Sequence, residues 1–228
     1  MAQANALTIP DVMKLIETKL TEMNPNDFDS DTGWQEQKSA QTRRAILTAA
    51  VKCLTEIGYA KTSTQIVAKT ANLSRGAMLH HYATKADLIS NLIDFINYRR
   101  LRAFYHEVKK MSDTERVIEG KAFEVYWRLN KKAESDAHLE LTVASRTDKE
   151  LKKLFDRKAR QHDNFILDTL PIFFPEWSEA SRENLQLAHD ISLVTFTGLR
   201  VKSNVISSKD RRLAVRKMIF RALQDLRH

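Results

Sequence analysis

Cysteine, proline and glycine are scarce in this 228-residue chain, at one, four and five residues. A single cysteine excludes an internal disulfide and fits a reducing compartment. Cys53 stands among Ala50, Leu54 and Ile57, the setting of a small buried hydrophobe more than of a reactive thiol. So few chain breakers, beside abundant Leu, Ala, Lys and Glu, argue for a mostly helical protein. No apolar run approaches the roughly 18 residues of a membrane span. The opening residues lack a signal-peptide pattern, so a cytoplasmic protein without membrane contact is expected. Also missing are a Gly-rich phosphate loop, HExxH, CxxC and Gly-x-Ser-x-Gly. His138 with Glu140, and His162 with Asp163, read as ordinary polar pairs. No catalytic, metal or cofactor site is legible.

What is present is positive charge, unevenly spread. Net charge is +8. Residues 1–38 hold three lysines against seven acids, while residues 39–90 hold seven basic residues against Glu56 and Asp87. Charge alone fits a solvated basic face as well as a nucleic-acid surface. Its coincidence with a motif decides between them.

That motif runs from Ser63 to Leu88. Ser63 precedes Thr64-Gln65-Ile66 as an N-cap would, and Val67, Ala68 and Ala71 give a small apolar face. Asn72 tolerates the left-handed exit of a sharp turn, and Leu73 fills the corner. Ser74 caps a second helix from Arg75 to about Tyr82. Thr84-Lys85-Ala86-Asp87 is a capping box that opens a long helix towards Lys110. Before all this, Ile46, Leu47, Ala50, Leu54 and Ile57 recur at helical spacing over 39–57, and Gly58 stops that helix. Two short helices joined by a tight turn have helix-turn-helix proportions. Further along, helices are expected over about 115–131 and from Asp148 to a stop before Pro171.

Over about fifty residues from near Ala40, this pattern resembles the DNA-binding signature of the TetR family of transcriptional regulators. Cap, turn, second helix, Tyr82 and Lys85 fall at matching spacings. Two positions depart: Asn72 stands where the family usually has Gly, and Leu79 where many members carry a phosphate-contacting Tyr. The resemblance implies an all-α fold, with an N-terminal three-helix helix-turn-helix DNA-binding domain followed by a helical ligand-binding and dimerisation domain. It also implies a homodimeric regulator, most often a repressor, released from a palindromic double-stranded operator by a small-molecule effector. The alternative is a ligand-independent, nucleoid-associated DNA binder of the same fold. Expected boundaries are 1–38 for an extension of one helix plus an acidic linker, 39–88 for the head, and 89–228 for the body.

The N-terminal turn of a recognition helix enters the major groove. Ser74, Arg75, Gly76 and Ala77 occupy it here. Arg75 suits guanine or phosphate, and the small Gly76 and Ala77 permit close approach. His80 or His81 could reach a base or phosphate, while Met78 and Tyr82 pack inward. Lys85 with the amides after Thr84 makes a phosphate site, as Ser63, Thr64 and Gln65 do one helix earlier. Arg43 and Arg44 reach phosphate or remain surface residues. For the body, Phe95, Tyr98, Tyr126, Trp127 and Phe155 line a partly apolar effector pocket or simply form core. The last two helices, about 179–206 and 209–226, supply the dimer candidates Ile191, Val194, Phe196, Gly198, Leu199, Val215, Met218 and Ile219, although the same stripe could serve the intrachain core.

Overall fold

The computed structural model describes residues 10, 11, 14, 17, 18, 34–116, 120–203 and 205–227. Among them the chain is all-α, without strands. In the N-terminal extension, Val12, Ile16, Leu20 and Met23, which share one stripe of its expected helix, and the acidic linker at 24–33 lie outside the described residues. The head consists of α1 (Trp34–Lys61), α2 (Thr64–Thr70) and α3 (Arg75–His81). Then follow α4 (Lys85–Lys109), α5 (Asp113–Arg116), α6 (Lys121–Leu129), α7 (Ala133–Ser145) and α8 (Lys149–Phe173). A 3₁₀ turn, Pro175–Trp177, precedes α9 (Arg182–Val201) and α10 (Lys209–Gln224).

The described residues form two compact units, one from those within 17–102 and 132–162, the other from those within 1–16, 103–131 and 163–228. In the first, Ile46, Ala50 and Leu54 of α1, Val67 of α2, Met78 of α3 and Leu88 of α4 share one hydrophobic cluster with Leu141 of α7 and Phe155 of α8. The core of the head therefore continues without a break into α7. Ile57, expected on the buried stripe of α1, is 39% exposed. It sits at the end of the helical run, where Gly58 (φ 79°, ψ 168°) turns the chain away before another residue can cover it.

His138 of α7 packs its ring on Phe155 at 5.1 Å. Burial, then repulsion from Arg100 on α4 and His162 on α8, holds the imidazole well below its usual 6.5. The residue keeps a solvent-reachable edge, which tempers the shift without reversing it. As pH falls from 7 towards about 5, the unfolded chain takes up a proton that the folded His138 refuses. Melting temperature should fall over that window, and His138→Gln should flatten the fall. Parallel Tm–pH curves for the two proteins would contradict this assignment.

In the second unit, Phe196 of α9 is enclosed by Phe123, Trp127 and Tyr126 at ring separations of 4.8, 5.1 and 5.6 Å. The single helix expected over 115–131 is two, α5 and α6, and Gly120 at φ 79° directly precedes α6. Helix α8 does not stop before Pro171 but runs through it to Phe173. A proline in the last turn forfeits a single backbone bond. Beyond it, Phe173 and Phe174 are fully buried, and both pack on Phe104 with ring centroids at 6.0 and 6.2 Å.

Candidate nucleic-acid interface

Short polar side chains build the head. Ser63 Oγ accepts the Ile66 amide at 3.2 Å, and Ser74 Oγ accepts the Ala77 amide at 3.1 Å. Between them Asn72 takes φ 56°, the one positive-φ residue other than glycine among those described. This turn lets the Leu73 amide reach back to Ala68 O at 2.9 Å. The capping box is reciprocal: the Asp87 amide donates to Thr84 Oγ1 at 3.0 Å, and the Thr84 amide to Asp87 Oδ2 at 3.1 Å. The caps satisfy amides that a helix start leaves unpaired, and the turn at Asn72 satisfies a carbonyl left over at a helix end.

These caps fix which way α3 faces. Met78 and Tyr82 are buried, and they anchor the helix on α1 and α2 within the shared cluster. Arg75, Gly76, Leu79 and His80 are exposed, and Ala77 is half-buried. A side chain built on Gly76 would meet only Ser74 Oγ, at 3.9 Å, so the first turn presents nearly bare backbone beside the Arg75 guanidinium. Arg44 and Gln65 are also exposed, while Ser63 and Thr64 are half-covered. Arg44 borders a cleft of about 710 Å³, lined also by Gln41, Thr48, Lys52 and Thr70.

Three candidates have inward duties. Arg43 is half-buried, and its Nη1 donates to Ser39 Oγ at 2.8 Å. His81 lies edge-on to His80 with ring centroids 5.3 Å apart. Burial, then the His80 and Arg43 charges, lowers its pKa below 6.5. At neutral pH His81 is therefore an uncharged hydrogen-bonding ring and not a cation. Lys85 Nζ donates to Tyr59 O at 3.0 Å and lies 4.0 Å from the centre of the Tyr59 ring. That leaves two ammonium hydrogens for another acceptor.

Tyr59 has no signal in the sequence. Its amide donates to Glu140 Oε1 at 2.6 Å, and its hydroxyl donates to Asp148 Oδ2 at 3.1 Å. Burial and the Asp148 carboxylate push the phenol up to about 12. Through this residue the end of α1, the start of α4, the middle of α7 and the cap of α8 meet. The partners are 81 and 89 residues away in sequence, so no local pattern could have revealed them.

The remaining candidates divide between the units. Phe95, Tyr98 and Phe155 are buried in the unit that holds the head. Tyr126 and Trp127 belong to the other, around Phe196. Of the dimer candidates, Phe196 and Leu199 are buried within their own chain. Ile191, Val215 and Ile219 are half-buried, while Val194, Gly198 and Met218 are exposed. Among the described residues no three metal-ligating side chains converge, and no helix is long and apolar enough to cross a membrane.

Residues 46–92 match the family described as "Bacterial regulatory proteins, tetR family". An uncharacterized HTH-type transcriptional regulator of Mycobacterium tuberculosis is 27% identical over 134 residues, which is 59% of this chain and 68% of that protein. A TetR-family member from Streptomyces coelicolor shares the fold with a TM-score of 0.58, at 17% identity over 79% of this chain and 97% of its own. NalD of Pseudomonas aeruginosa, the secondary repressor of the MexAB-OprM multidrug efflux pump, has a TM-score of 0.54 at 18% identity, covering 81% of this chain and 96% of its own.

Proposed function

We propose that this chain, with its head similar to the tetR-family helix-turn-helix, is a DNA-binding transcriptional regulator that works as a homodimeric repressor released from a palindromic operator by a small, partly apolar effector. The observation that carries this reading is the orientation of α3. Met78 and Tyr82 are locked inward, so Arg75, Gly76, Ala77 and His80 meet the major groove. Arg44, Ser63, Thr64, Gln65, Ser74 and Lys85 then lie where phosphates flank that groove, with Arg43 and His81 supporting them. Such contacts fix register, and base contacts at Arg75 carry the sequence preference. A single head makes too few contacts for selective binding, which favours a two-fold pair. Selection of bound duplexes from a random library should return inverted half-sites about one helical turn apart. Recovery of unrelated or asymmetric sequences would count against the proposal.

The dimer reading draws on an exposed stripe. Leu187, Val194 and Val201 recur every seven residues along α9 and are 47, 71 and 59% exposed, while Met218 on α10 is 73% exposed. Gly198 lies on the same helix, and a Cβ built there meets nothing within 4 Å in its own chain. Its helix-breaking cost, about 1 kcal/mol, thus has no reason inside the protomer, and close approach of a second α9 would supply one. Val194→Glu should convert the dimer to monomer in sedimentation and abolish operator binding with it. A variant that stays dimeric and binds normally would move the interface elsewhere.

Effector binding in the helices beyond the head needs to favour one arrangement of the two heads by only about 1–3 kcal/mol. Phe95, Tyr98 and Phe155 in one unit, or Tyr126 and Trp127 in the other, are the apolar groups proposed to contribute.

A further inference from the structure

Within the unit that carries the head lies a polar layer that the DNA contacts do not use. Asn97 and Arg100 stand one turn apart on α4, which brings their side chains to the same face. Asn97 is almost wholly buried, and its Nδ2 reaches Lys158 O of α8 at only 3.5 Å. Its Oδ1 accepts nothing, and Arg100 Nη1, also closed off from solvent, donates to nothing. Buried polar groups in native proteins are nearly always paired, because an orphan forfeits its bonds to water without replacement. An orphan acceptor beside an orphan cationic donor needs a common explanation.

The neighbouring carboxylates are already engaged. Asp94 pairs with Lys158, and Glu134 pairs with Arg99 at 2.7 Å. Among the described residues none neutralises Arg100. The Arg100 charge acts on the His138 ring of α7, which packs on Phe155 of α8 at 5.1 Å. From this juxtaposition we infer that Asn97, Arg100, His138 and Phe155 form the binding site of a small aromatic hydroxy acid. Its carboxylate pairs with the Arg100 guanidinium, its hydroxyl donates to Asn97 Oδ1, and its ring packs on His138 and Phe155. Arg100 is half-exposed, so solvent reaches part of its guanidinium, but its closed-off Nη1 faces no acceptor, and a carboxylate supplies one with matching charge. The low pKa of His138 keeps that ring neutral at pH 7, so Arg100 is the cation that selects the anion.

This inference rests on the effector reading and specifies its chemistry. The test uses the full chain with three probes: mandelate, its neutral amide, and phenylacetate, which lacks the hydroxyl. Mandelate at about a hundred times its Kd should raise Tm by several degrees. Phenylacetate should bind at least tenfold more weakly, and mandelamide should have no effect. Arg100→Gln should remove the preference for acid over amide. Because that variant could be damaged in folding, the ranking of probes on the unmodified protein is decisive by itself. Equal response to acid and amide, or no response to any probe, overturns the site. Acids that raise Tm yet leave operator affinity unchanged would keep the site and sink the effector reading. A neutral compound that releases DNA while the acids do nothing would keep the effector reading and sink the site.

Discussion

Arg75→Ala is expected to weaken specific operator binding by roughly thirty-fold to ten-thousand-fold while leaving non-specific binding to random duplex largely intact. One well-placed guanidinium on a base edge contributes about 1–3 kcal/mol of discrimination. The proposed two-fold dimer would forfeit it twice, and each 1.4 kcal/mol is a factor of ten. Arg75 is exposed on the first turn of α3, beyond the Ser74 cap, so the substitution should leave the head folded. Arg44→Ala provides the contrast. A residue that only meets phosphate should weaken all duplexes alike and reduce the salt dependence by about 0.9 in the log–log slope for each phosphate it no longer neutralises. Titrations of operator and random duplex over a range of salt separate the two behaviours. If Arg75→Ala lowers both affinities in parallel, Arg75 grips phosphate, and the bases are read by another residue.

Among the described glycines, Gly120→Ala is expected to be the most damaging added methyl. Gly120 has φ +79°, a region that costs a non-glycine residue about 1–2 kcal/mol. Its new Cβ would lie 2.7 and 2.8 Å from two carbons of the Phe220 ring. That ring has little room to retreat. It packs on Phe123 at 5.8 Å, and the Arg227 guanidinium lies 5.7 Å from its centre. Arg227 is in turn paired with Glu176 at 3.2 Å, and Glu176 accepts the Gly120 amide at 3.1 Å. Moving Phe220 therefore disturbs the same network that fixes Gly120. Strain and overpacking together come to about 3 kcal/mol, or a fall in Tm of roughly 6–12 °C for a chain of this size. Thermal unfolding reads the effect directly, and an unchanged Tm would mean that the turn before α6 relaxes freely.

Local chemistry is the legible part. Ser63, Asn72, Ser74 and the Thr84–Asp87 pair each act on amides within three to five residues, so sequence spacing reveals them and the structure places them as expected. The inward Met78 and Tyr82 follow from helical period alone. Pro171 is not a stop, because a proline's cost depends on where in a helix it falls. Only the packing of Phe173 and Phe174 on Phe104 sets that place. On α9 the sequence shows apolar residues on nearly every side. Which ones turn inward depends on what packs there, and Phe123, Tyr126 and Trp127 claim Phe196 while Val194 is left outside.

The sequence by itself determined that the chain is helical, where its short helices start, and that positive charge gathers on a helix-turn-helix head. Hydrogen bonds to the nearest amides and the 3.6-residue period settle those features within one or two turns. Tertiary structure alone decided that the head shares its core with α7, that Tyr59 joins α1 to Glu140 and Asp148, and that Lys85 spends one donor inward. The physical reason is distance along the chain. Burial and ion pairing are satisfied by whatever partner the fold brings near, and no short stretch of sequence encodes a neighbour some eighty residues away.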